Sequence, residues 1–440
     1  MATHARPGSV PSPTPPARRV PELDPALVAE WQAGGGELVD LFGQAREQLG
    51  GVAAVRLGPR PTVLVTAPEA VQHVLALHPG RYVKRSHRAR LLIGDGVLAA
   101  TGEAWQRQRR LLQSQFTGRG MRRYEQRITE AARTAAARWA GYARSGQVFD
   151  VGDEMRRFAL DTIWRSLTGH PLAPATEREL AAVPAVVAAL PSLPADGTAA
   201  QGAVAADLAR IDAVSSLAIA AARDGAAGPD GPGLLHVLLD AATTRPEYTD
   251  RLIRDELVTL LVAGHETTAS TLTWLYLLLD QNPQAREQAL AAGPEGSPER
   301  RQALQALVHE ALRFYPSAWI LPRCAVQDDH LAGYEIEADT DVLVCPYLTH
   351  RDPELWHDPG RFDPTRFSTP GRRPTHPGSY FPFGLGPRAC LGLQFALRES
   401  TTLLEHLLPA HTPRFHSIPE KAAYSITVRP DGPTPAVLGG

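Results

Sequence analysis

The chain has 440 residues, and 43% of them are hydrophobic, which is enough to bury a large core in one or two domains. The formal net charge of -2 excludes a strong electrostatic footprint for nucleic acid or for an anionic membrane. The 3 cysteines form an odd and sparse set, which does not suit a disulfide framework and favours a reducing, cytoplasmic location.

The N-terminal segment is rich in proline and serine. Residues 1–24 predict a flexible arm, and residues 25–440 are expected to form a single domain. This segment has no apolar core of signal-peptide or membrane-span length, and no later run reaches a membrane-spanning length without interruption. No membrane anchor is therefore expected.

Helical patterns dominate the rest of the chain. A short helix is predicted near "PALVAEW", two strands flank the turn at Gly58 and Pro59, and a helix starts near Pro68. From residue 105 to about residue 290 the pattern is almost wholly helical. Strand-like alternation returns in "AGYEIEADTDVLVCPYL" and in "YSITVRP", and a last helix follows Cys390. The predicted fold class is mainly α with small β-sheets (α+β).

The segment "FPFGLGPRACLG", residues 381–392, places a cysteine in a glycine-rich turn directly before a helix-like run. Glycines let the backbone approach a flat, bulky group, and a thiolate at a helix start gains from the positive end of the helix dipole. A thiolate metal ligand requires these conditions. An incidental buried cysteine is the alternative, whereas a dinucleotide-binding loop is excluded because Ala389 stands where its third glycine is needed.

A second unusual segment is "LLVAGHETTAST", residues 260–271, within a long apolar helix. Glycine lowers helix propensity and threonine competes for backbone hydrogen bonds, so Gly264 and the polar run after it predict a local kink or widening. An exposed stripe on a surface helix is the alternative. A helical zinc motif is excluded because Ala269 stands where its second histidine is needed.

Two further motifs are weak on their own. In "EALRFYP", Glu310 and Arg313 stand at i and i+3 on one helical face, as in many surface ion pairs. In "WQRQRR", Trp105 and Arg109 are four apart and also share a helical face. Neither spacing indicates a function without a partner elsewhere in the chain.

The cysteine segment resembles the haem-binding signature of the cytochrome P-450 monooxygenases. The resemblance implies a cytochrome P-450 fold in which haem lies between the 260–271 helix and the helix after the cysteine loop. It further implies that Cys390 is the axial thiolate ligand of the iron of haem b. The positions that match this signature are Phe383, Gly384, Gly386, Arg388, Cys390, Gly392 and Ala396.

The resemblance also implies roles for the other motifs. Gly264 would leave room for dioxygen, Thr267 would hydrogen-bond it through its hydroxyl, and Glu266 would relay protons. Trp105, Arg109, Arg323 and Arg388 would anchor the haem propionates. Glu310 and Arg313 would be joined by Arg366 of "FDPTRF" in a structural triad that supports the cysteine loop, although Thr365 replaces an acidic residue often found in that segment.

The implied activity is insertion of one oxygen atom from dioxygen into a C–H bond or a double bond. Two electrons are expected from a separate ferredoxin- or flavodoxin-type protein, since no reductase sequence follows. The apolar segments 180–195 and 317–321 are among those expected near the pocket, together with residues 84–100. They favour a hydrophobic small molecule, although core packing would explain them equally well. By analogy with soluble bacterial members, a terpenoid, polyketide or modified-peptide intermediate of specialised metabolism is expected.

Three other functions remain open from the sequence. A peroxide-driven haem-thiolate oxygenase would not need the Glu266 and Thr267 pair. A non-catalytic haem-thiolate sensor would keep Cys390 but have no use for that pair. A cysteine-nucleophile enzyme would need a basic residue beside the thiol, and no histidine stands near Cys390 in the sequence.

Overall fold

Helices make up most of the described chain, which confirms the mainly α fold class with small sheets. The computed structural model describes residues 18–85, 88–190, 202, 204–229 and 231–439. In chain order its α-helices are Pro25–Gly34, Leu38–Leu49, Pro68–Gln72, Arg90–Ile93, Gly102–Gln113, Arg119–Ser145, Val151–Thr168, Pro174–Leu180, Ala182–Ala189, Ala205–Arg223, Leu234–Ala242, Asp250–Gln281 (the central helix), Pro283–Ala291, Pro298–Phe314 (the Glu310 helix), Pro346–Thr349, Thr365–Ser368 and Leu393–Leu407 (the C-terminal helix). A π-helical turn, His73–Leu77, continues the third of them, and 3₁₀ turns lie at Pro377–Ser379 and Gly386–Arg388.

The strands form small sheets beside the helices. The largest sheet has five strands in the order Val52–Val55, Thr62–Val65, Asp341–Val344, Leu321–Ala325 and Tyr82–Val83. Its first two strands pair antiparallel, which confirms the predicted strands around Gly58 and Pro59. The other strands are Arg18–Arg19, Tyr334–Ile336 and Asp329–Leu331 in one sheet, Pro413–Phe415, Pro435–Leu438 and Phe149–Asp150 in another, and the antiparallel pair Ala422–Tyr424 and Val428–Pro430.

The folded part of the chain begins earlier than residue 25. Arg18–Arg19 pairs parallel with Tyr334–Ile336, and the side chain of Leu23 is fully buried. The Leu23 backbone N–H donates to the Ala54 carbonyl at 2.8 Å, so this stretch satisfies its hydrogen bonds within the protein. Of the arm predicted for residues 1–24, residues 18–24 therefore belong to the folded part, and residues 1–17 lie outside the described part.

The central helix, Asp250–Gln281, is the longest element and packs against Val151–Thr168. Its start is capped by the Thr249 side chain, which accepts from the Leu252 N–H at 3.2 Å. The helix is α-helical at every residue, so the widening predicted near Gly264 is absent. The Thr267 hydroxyl donates to the Ala263 carbonyl four residues earlier at 2.9 Å, a bond that a threonine inside a helix can make without breaking the helix. Among the described residues no helix is both long and apolar enough to cross a membrane.

A tight turn at residues 94–97, the glycine turn, lies against the central helix. Asp255 Oδ2 accepts from the Asp95 N–H at 2.9 Å, and Glu256 Oε2 accepts from the Val97 N–H at 3.0 Å. A Cβ atom at Gly94 would collide with the Asp255 carboxylate, and the φ of +51° at Gly94 also favours glycine. Two neighbouring carboxylates of one helix therefore hold two backbone amides of this turn.

The Glu310 helix, Pro298–Phe314, is tied to the irregular chain before the cysteine loop by a buried ion pair. Arg313 binds Glu310 through both carboxylate oxygens at 2.8 and 2.9 Å, and Arg366 Nε lies 3.4 Å from Glu310 Oε1. The side chains of the pair have no exposed surface, and that of Arg366 is 4% exposed. The two guanidinium groups also donate to the backbone carbonyls of His350, His357, Asp358, Pro359 and Arg361.

His350 connects this network to the cysteine loop. Its carbonyl accepts from Arg313, and its ring Nε2 accepts from the Phe381 N–H at 2.9 Å. Burial holds the pKa of His350 well below its usual value, so the ring is neutral and able to accept this bond. The first residue of the segment 381–392 is thereby fixed to the buried ion pair.

We expect Arg366→Ala to lower the free energy of unfolding by about 3–5 kcal/mol, because it leaves Glu310 buried without one of its cationic partners. Arg372→Ala is the matched control. Its side chain is 48% exposed and pairs with Asp363 at 3.3 Å, so its loss is expected to cost no more than about 1 kcal/mol. Urea unfolding of both variants measures the difference, and equal losses would contradict a supporting role for the buried network.

A second prediction concerns Glu256, which is fully buried. Burial raises its pKa from 4.5 to about 7, so the folded protein favours the neutral carboxyl. The free energy of unfolding should therefore fall as the pH rises from 4.5 through about 7, by about 3 kcal/mol from this group.

Glu256→Gln cannot ionise and should remove that pH-dependent loss. The measurement is urea unfolding of parent and variant across this pH range. Glu247→Gln, which alters an exposed carboxyl nearby, should follow the parent. A parent and a Glu256→Gln variant with the same pH dependence would rule the prediction out.

Candidate active site around Cys390

The cysteine loop is closed by its own backbone. The Cys390 N–H donates to the Phe383 carbonyl at 2.7 Å, directly before the C-terminal helix Leu393–Leu407. Gly384 and Gly386 have φ angles of 72° and 68°, a region that other residues rarely adopt. A Cβ atom at Gly386 would also collide with the Leu75 carbonyl. The predicted tight turn is present, and both glycines are needed for it.

Cys390 differs from the other two cysteines in its access to solvent. Its side chain is exposed, whereas Cys324 and Cys345 are 0% exposed. Loss of hydration by the thiolate raises the pKa of the Cys390 thiol, whereas a hydrogen bond from the Gly392 N–H and the charge of Arg109 lower it. A Cβ atom at Gly392 would meet no protein atom within 4 Å, so neither crowding by the protein nor backbone strain requires glycine there.

The residues that follow complete the start of the C-terminal helix. The Ala396 N–H donates to the Gly392 carbonyl at 2.8 Å, which forms the first turn behind the thiol. Phe383 is half-buried against the core. All the loop positions identified in the sequence therefore lie within one closed turn and the first turn of one helix.

Two arginines are attached to this loop. Arg109 Nη1 donates to the Ala389 carbonyl at 2.9 Å, which brings the helix Gly102–Gln113 against the residue before the thiol. The guanidinium carbon of Arg388 lies 4.0 Å from the centre of the Trp105 ring, and its Nη2 donates to the Ala100 carbonyl at 2.8 Å. Trp105, Arg109 and Arg388 thus lie together beside the cysteine loop.

Positive charge accumulates on this side of the loop without a compensating anion. Burial, together with repulsion from Arg323 and Arg109, lowers the pKa of Arg388 to about 10. Burial also lowers the pKa of Arg323 to about 10. The pKa of Lys84 falls to about 8 because of burial and of repulsion from Arg323 and Arg388. No carboxylate of the described residues forms an ion pair with any of these four side chains. The group suits an anionic ligand, and haem with its two propionates fits it.

Lys84 was not among the predicted site residues. A signal was present, because Lys84 and Lys421 are the only lysines in the sequence. Scarcity alone does not assign a role, and nothing near residue 84 in the sequence points to Arg323 or Arg388.

The polar run of the central helix contains a histidine and a glutamate whose side chains lie close together. His265 Nε2 lies 3.1 Å from Glu266 Oε1, and His265 Nδ1 lies 3.3 Å from the Leu261 carbonyl. Burial by itself would raise the pKa of Glu266, but His265, Arg156 and Arg429 outweigh it and hold that pKa below its usual value. Glu266 is therefore an ionised carboxylate at neutral pH.

Thr267 and Gly264 have different neighbours. The Thr267 carbonyl accepts from Ser317 Oγ at 2.8 Å, which ties the helix to the chain after the Glu310 helix. A Cβ atom at Gly264 would stand 2.9 Å from Ile163 Cγ1, so Gly264 allows the close approach of Val151–Thr168. Sequence reasoning missed this packing role, and the expected role of Gly264 beside dioxygen stays a prediction.

The central and C-terminal helices meet through a buried contact next to Thr267. The Thr268 hydroxyl donates to Glu399 Oε1 at 2.7 Å, and both residues are buried. Burial raises the pKa of Glu399 well above its usual value, so this carboxyl is neutral. The contact places the polar run of the central helix beside the helix that follows Cys390. Sequence reasoning missed Glu399, which stands between Arg398 and Ser400 and has no local pattern that marks it as buried.

The apolar segments expected to line a pocket contribute mainly to packing. Val183, Val186 and Leu190 are buried within one hydrophobic core, and residues 191–195 of that segment lie outside the described part. Trp319 is buried against Phe42 in another core. Core packing therefore explains much of both segments, and they carry little evidence about a substrate.

The Cytochrome P-450 family model matches residues 19–193 and 230–422. The chain therefore belongs to the cytochrome P-450 family and is a monooxygenase of that family, with haem as its cofactor.

Curated relatives and a solved structure of the same family are similar to this chain. Cyclooctatin synthase of Streptomyces melanosporofaciens is 33% identical over 379 residues, covering 81% of each chain. Cyclooctat-9-en-7-ol 5-monooxygenase of the same organism is 30% identical over 380 residues, again covering 81% of each. The crystal structure of the cytochrome P450DA haem domain is 27% identical and superposes with a TM-score of 0.82, covering 96% of this chain and 98% of that one.

Thiol labelling of the haem-free protein tests the exposure of Cys390. We expect an excess of iodoacetamide to modify one cysteine per chain, because Cys324 and Cys345 have no exposed surface. The raised pKa of Cys390 should make the reaction faster at higher pH, since the thiolate is the reactive form. Cys390→Ser should abolish it, and haem loading should slow it strongly. Labelling of a second cysteine in the folded protein would contradict the structure.

Proposed function

We propose that this monooxygenase inserts one oxygen atom from dioxygen into a C–H bond or a double bond of a largely hydrophobic small molecule. Two electrons would come from a separate protein, and Cys390 would be the axial ligand of haem b. The observation that carries the proposal is the single exposed thiol, held by a closed backbone loop beside a group of uncompensated cations.

The residues around the loop would hold the haem in complementary ways. Arg109, Arg323 and Arg388 would bind the propionates, with Lys84 as an additional cation and Trp105 orienting Arg388. Haem bound through a thiolate supplies dioxygen activation and O–O cleavage. The remaining positions proposed to shape the haem surface beside the thiol are Phe383, Gly384, Gly392 and Ala396.

Glu266 and Thr267 are proposed to manage protons. A hydroxyl can accept and donate at the same time, so Thr267 Oγ1 is suited to pass a proton on. Glu266 is ionised at rest, and its neighbours Arg156 and Arg429 favour that state. Glu266 must therefore take a proton from water and give it up quickly, which suits a relay and does not suit storage. Gly264 is proposed to leave room next to Thr267.

The proposed substrate class is a terpenoid intermediate of specialised metabolism. The support is the name of a relative: cyclooctat-9-en-7-ol is an unsaturated cyclic alcohol, in which almost all the surface is hydrocarbon. A family and a fold do not by themselves determine a substrate, so polyketide and modified-peptide intermediates belong in the same screen. Titration of candidate compounds against the haem absorption spectrum would separate these classes.

The proposed electron donor is a ferredoxin- or flavodoxin-type protein. Arg110, Arg122 and Arg123 are exposed on helices near the cysteine loop, and such a surface favours an acidic partner. We also propose that the predicted domain, extended back to residue 18 by the pairing of Arg18–Arg19, acts as one haem-binding domain. A cytoplasmic location is proposed as well, since all three cysteines are free.

The absorption spectrum of the reduced, carbon-monoxide-bound protein tests thiolate ligation. The expected result is a strongly red-shifted Soret band in the parent that is lost in Cys390→Ser. A matched control is Cys324→Ser, which alters a cysteine outside the loop and should keep the band. An imidazole-type band in the parent, or no haem at all, would refute the proposal.

Turnover with a ferredoxin system tests the proton relay. Glu266→Gln should lower product formation by about 100-fold or more, because an amide cannot carry the proton. Electron consumption should fall much less, so the yield of product per electron should drop. Glu287→Gln changes an exposed carboxyl on the next helix and should behave like the parent. An unchanged yield in Glu266→Gln would remove the proposed role.

A further inference from the structure

Side-chain hydrogen bonds attach the loop from residue 92 to residue 100 at its start, at its end and in between, where Gln108 Nε2 also donates to the Asp95 carbonyl at 2.9 Å. Arg254 Nη1 donates to the Leu92 carbonyl at 2.8 Å at its start, and Arg388 Nη2 donates to the Ala100 carbonyl at 2.8 Å at its end. Between them, Asp255 and Glu256 accept the two amides of the glycine turn. The loop therefore runs from the central helix to the arginine of the cysteine loop.

The glycine turn of this loop lies against the central helix at Thr259, about two turns before Thr267. A Cβ atom at Gly96 would collide with the Thr259 hydroxyl, so the turn rests directly on Thr259. Thr259, Ala263 and Thr267 stand four residues apart and share one helical face. Because the other end of the loop is bonded to Arg388, residues 92–100 run from the central helix to the cysteine loop, and we call this stretch the wall.

One side chain of this wall is turned away from the core. Leu98 is 37% exposed, whereas its neighbours Val97 and Ala99 are 9% and 3% exposed. Exposed large apolar side chains are few in the described part of the chain, and Leu98 directly follows the amide that Glu256 holds. Leu98 also stands two residues before Ala100, whose carbonyl is bonded to Arg388.

The two acidic residues that hold the glycine turn, Asp255 and Glu256, differ in their other partners. Asp255 has a cationic partner, since Arg254 Nη1 lies 3.0 Å from its Oδ1. Glu256 has none among the described residues, and its Oε1 is buried without a hydrogen-bond partner there. The Val97 amide is thus the contact that accounts for a carboxyl group in this position. An apolar residue would pack there at lower cost, so the carboxyl is explained by holding the turn.

We propose that Asp255 and Glu256 are positioning residues for the substrate: they hold the glycine turn on the central helix and thereby fix the wall that carries Leu98. The inference rests on the proposed function, because the space beside this wall is then the one in which the hydrophobic substrate lies above the haem. Loss of the Glu256 contact lets the turn move, and a large ligand then loses a wall that a small one does not touch.

The test compares two azole probes on the haem-loaded full chain. Imidazole needs little space, whereas 4-phenylimidazole adds an apolar ring that must lie against the pocket wall. In Glu256→Ala the dissociation constant of 4-phenylimidazole should rise about tenfold while that of imidazole changes less than about twofold. Glu256→Gln keeps an acceptor oxygen for Val97 and should restore the parent values. Glu247→Ala, at an exposed carboxyl nearby, should change neither.

Hydrogen exchange of the peptide containing residues 92–100 provides a second measurement that does not depend on a ligand. The amides of Asp95 and Val97 should exchange faster in Glu256→Ala and at the parent rate in Glu256→Gln. Gly96→Ala, which pushes the turn from Thr259 without altering a carboxyl, should reproduce the exchange and probe effects of Glu256→Ala.

The outcomes separate the inference from the proposed function. Equal weakening of both probes in Glu256→Ala, or unchanged binding and exchange, would overturn the positioning role alone. Failure of Glu256→Gln to restore either measurement would also overturn it, because the acceptor oxygen would not be what matters. A parent protein without haem would overturn the proposed function and this inference together.

Discussion

The arrangement of the active site depends on an ion pair that water does not reach. Glu310 and Arg313 have no exposed side-chain surface, so removing these charges from water is repaid only if their remaining hydrogen-bonding groups are also satisfied. Arg313 meets that requirement with backbone carbonyls of the irregular chain from His350 onward. Because His350 also accepts the Phe381 amide, the pair determines where the cysteine loop begins.

The cysteine loop lies beside four cationic side chains whose proximity is unfavourable for the protein alone. Arg109, Arg323, Arg388 and Lys84 repel one another, and burial adds to the cost of each charge. An anionic cofactor attracts all four cations, so the repulsion that destabilises the folded protein alone is offset when the cofactor binds. Arg109 also favours the ionised form of Cys390. The same charges thus serve both the propionates and the thiolate.

The central helix connects these features because it is long and unbroken. At about 1.5 Å per residue, Glu256 and Thr267 lie roughly 16 Å apart along one rigid axis. The first holds the loop 92–100, and the second lies beside Thr268, whose bond to Glu399 fixes the C-terminal helix. Movement of this helix would therefore alter the pocket wall, the proton relay and the support of Cys390 together.

The amino-acid sequence alone determined the helical character, the hairpin near residue 58, the cysteine loop and the order of the four motifs. These features depend on local spacing and on residue types such as glycine, so they can be read from short segments. The tertiary structure decided which charges meet and which carboxylates hold loops. Val97 and Glu256 are 159 residues apart, and Thr268 and Glu399 are 131 apart. No local pattern specifies such pairs, because burial and partners are properties of the packed chain.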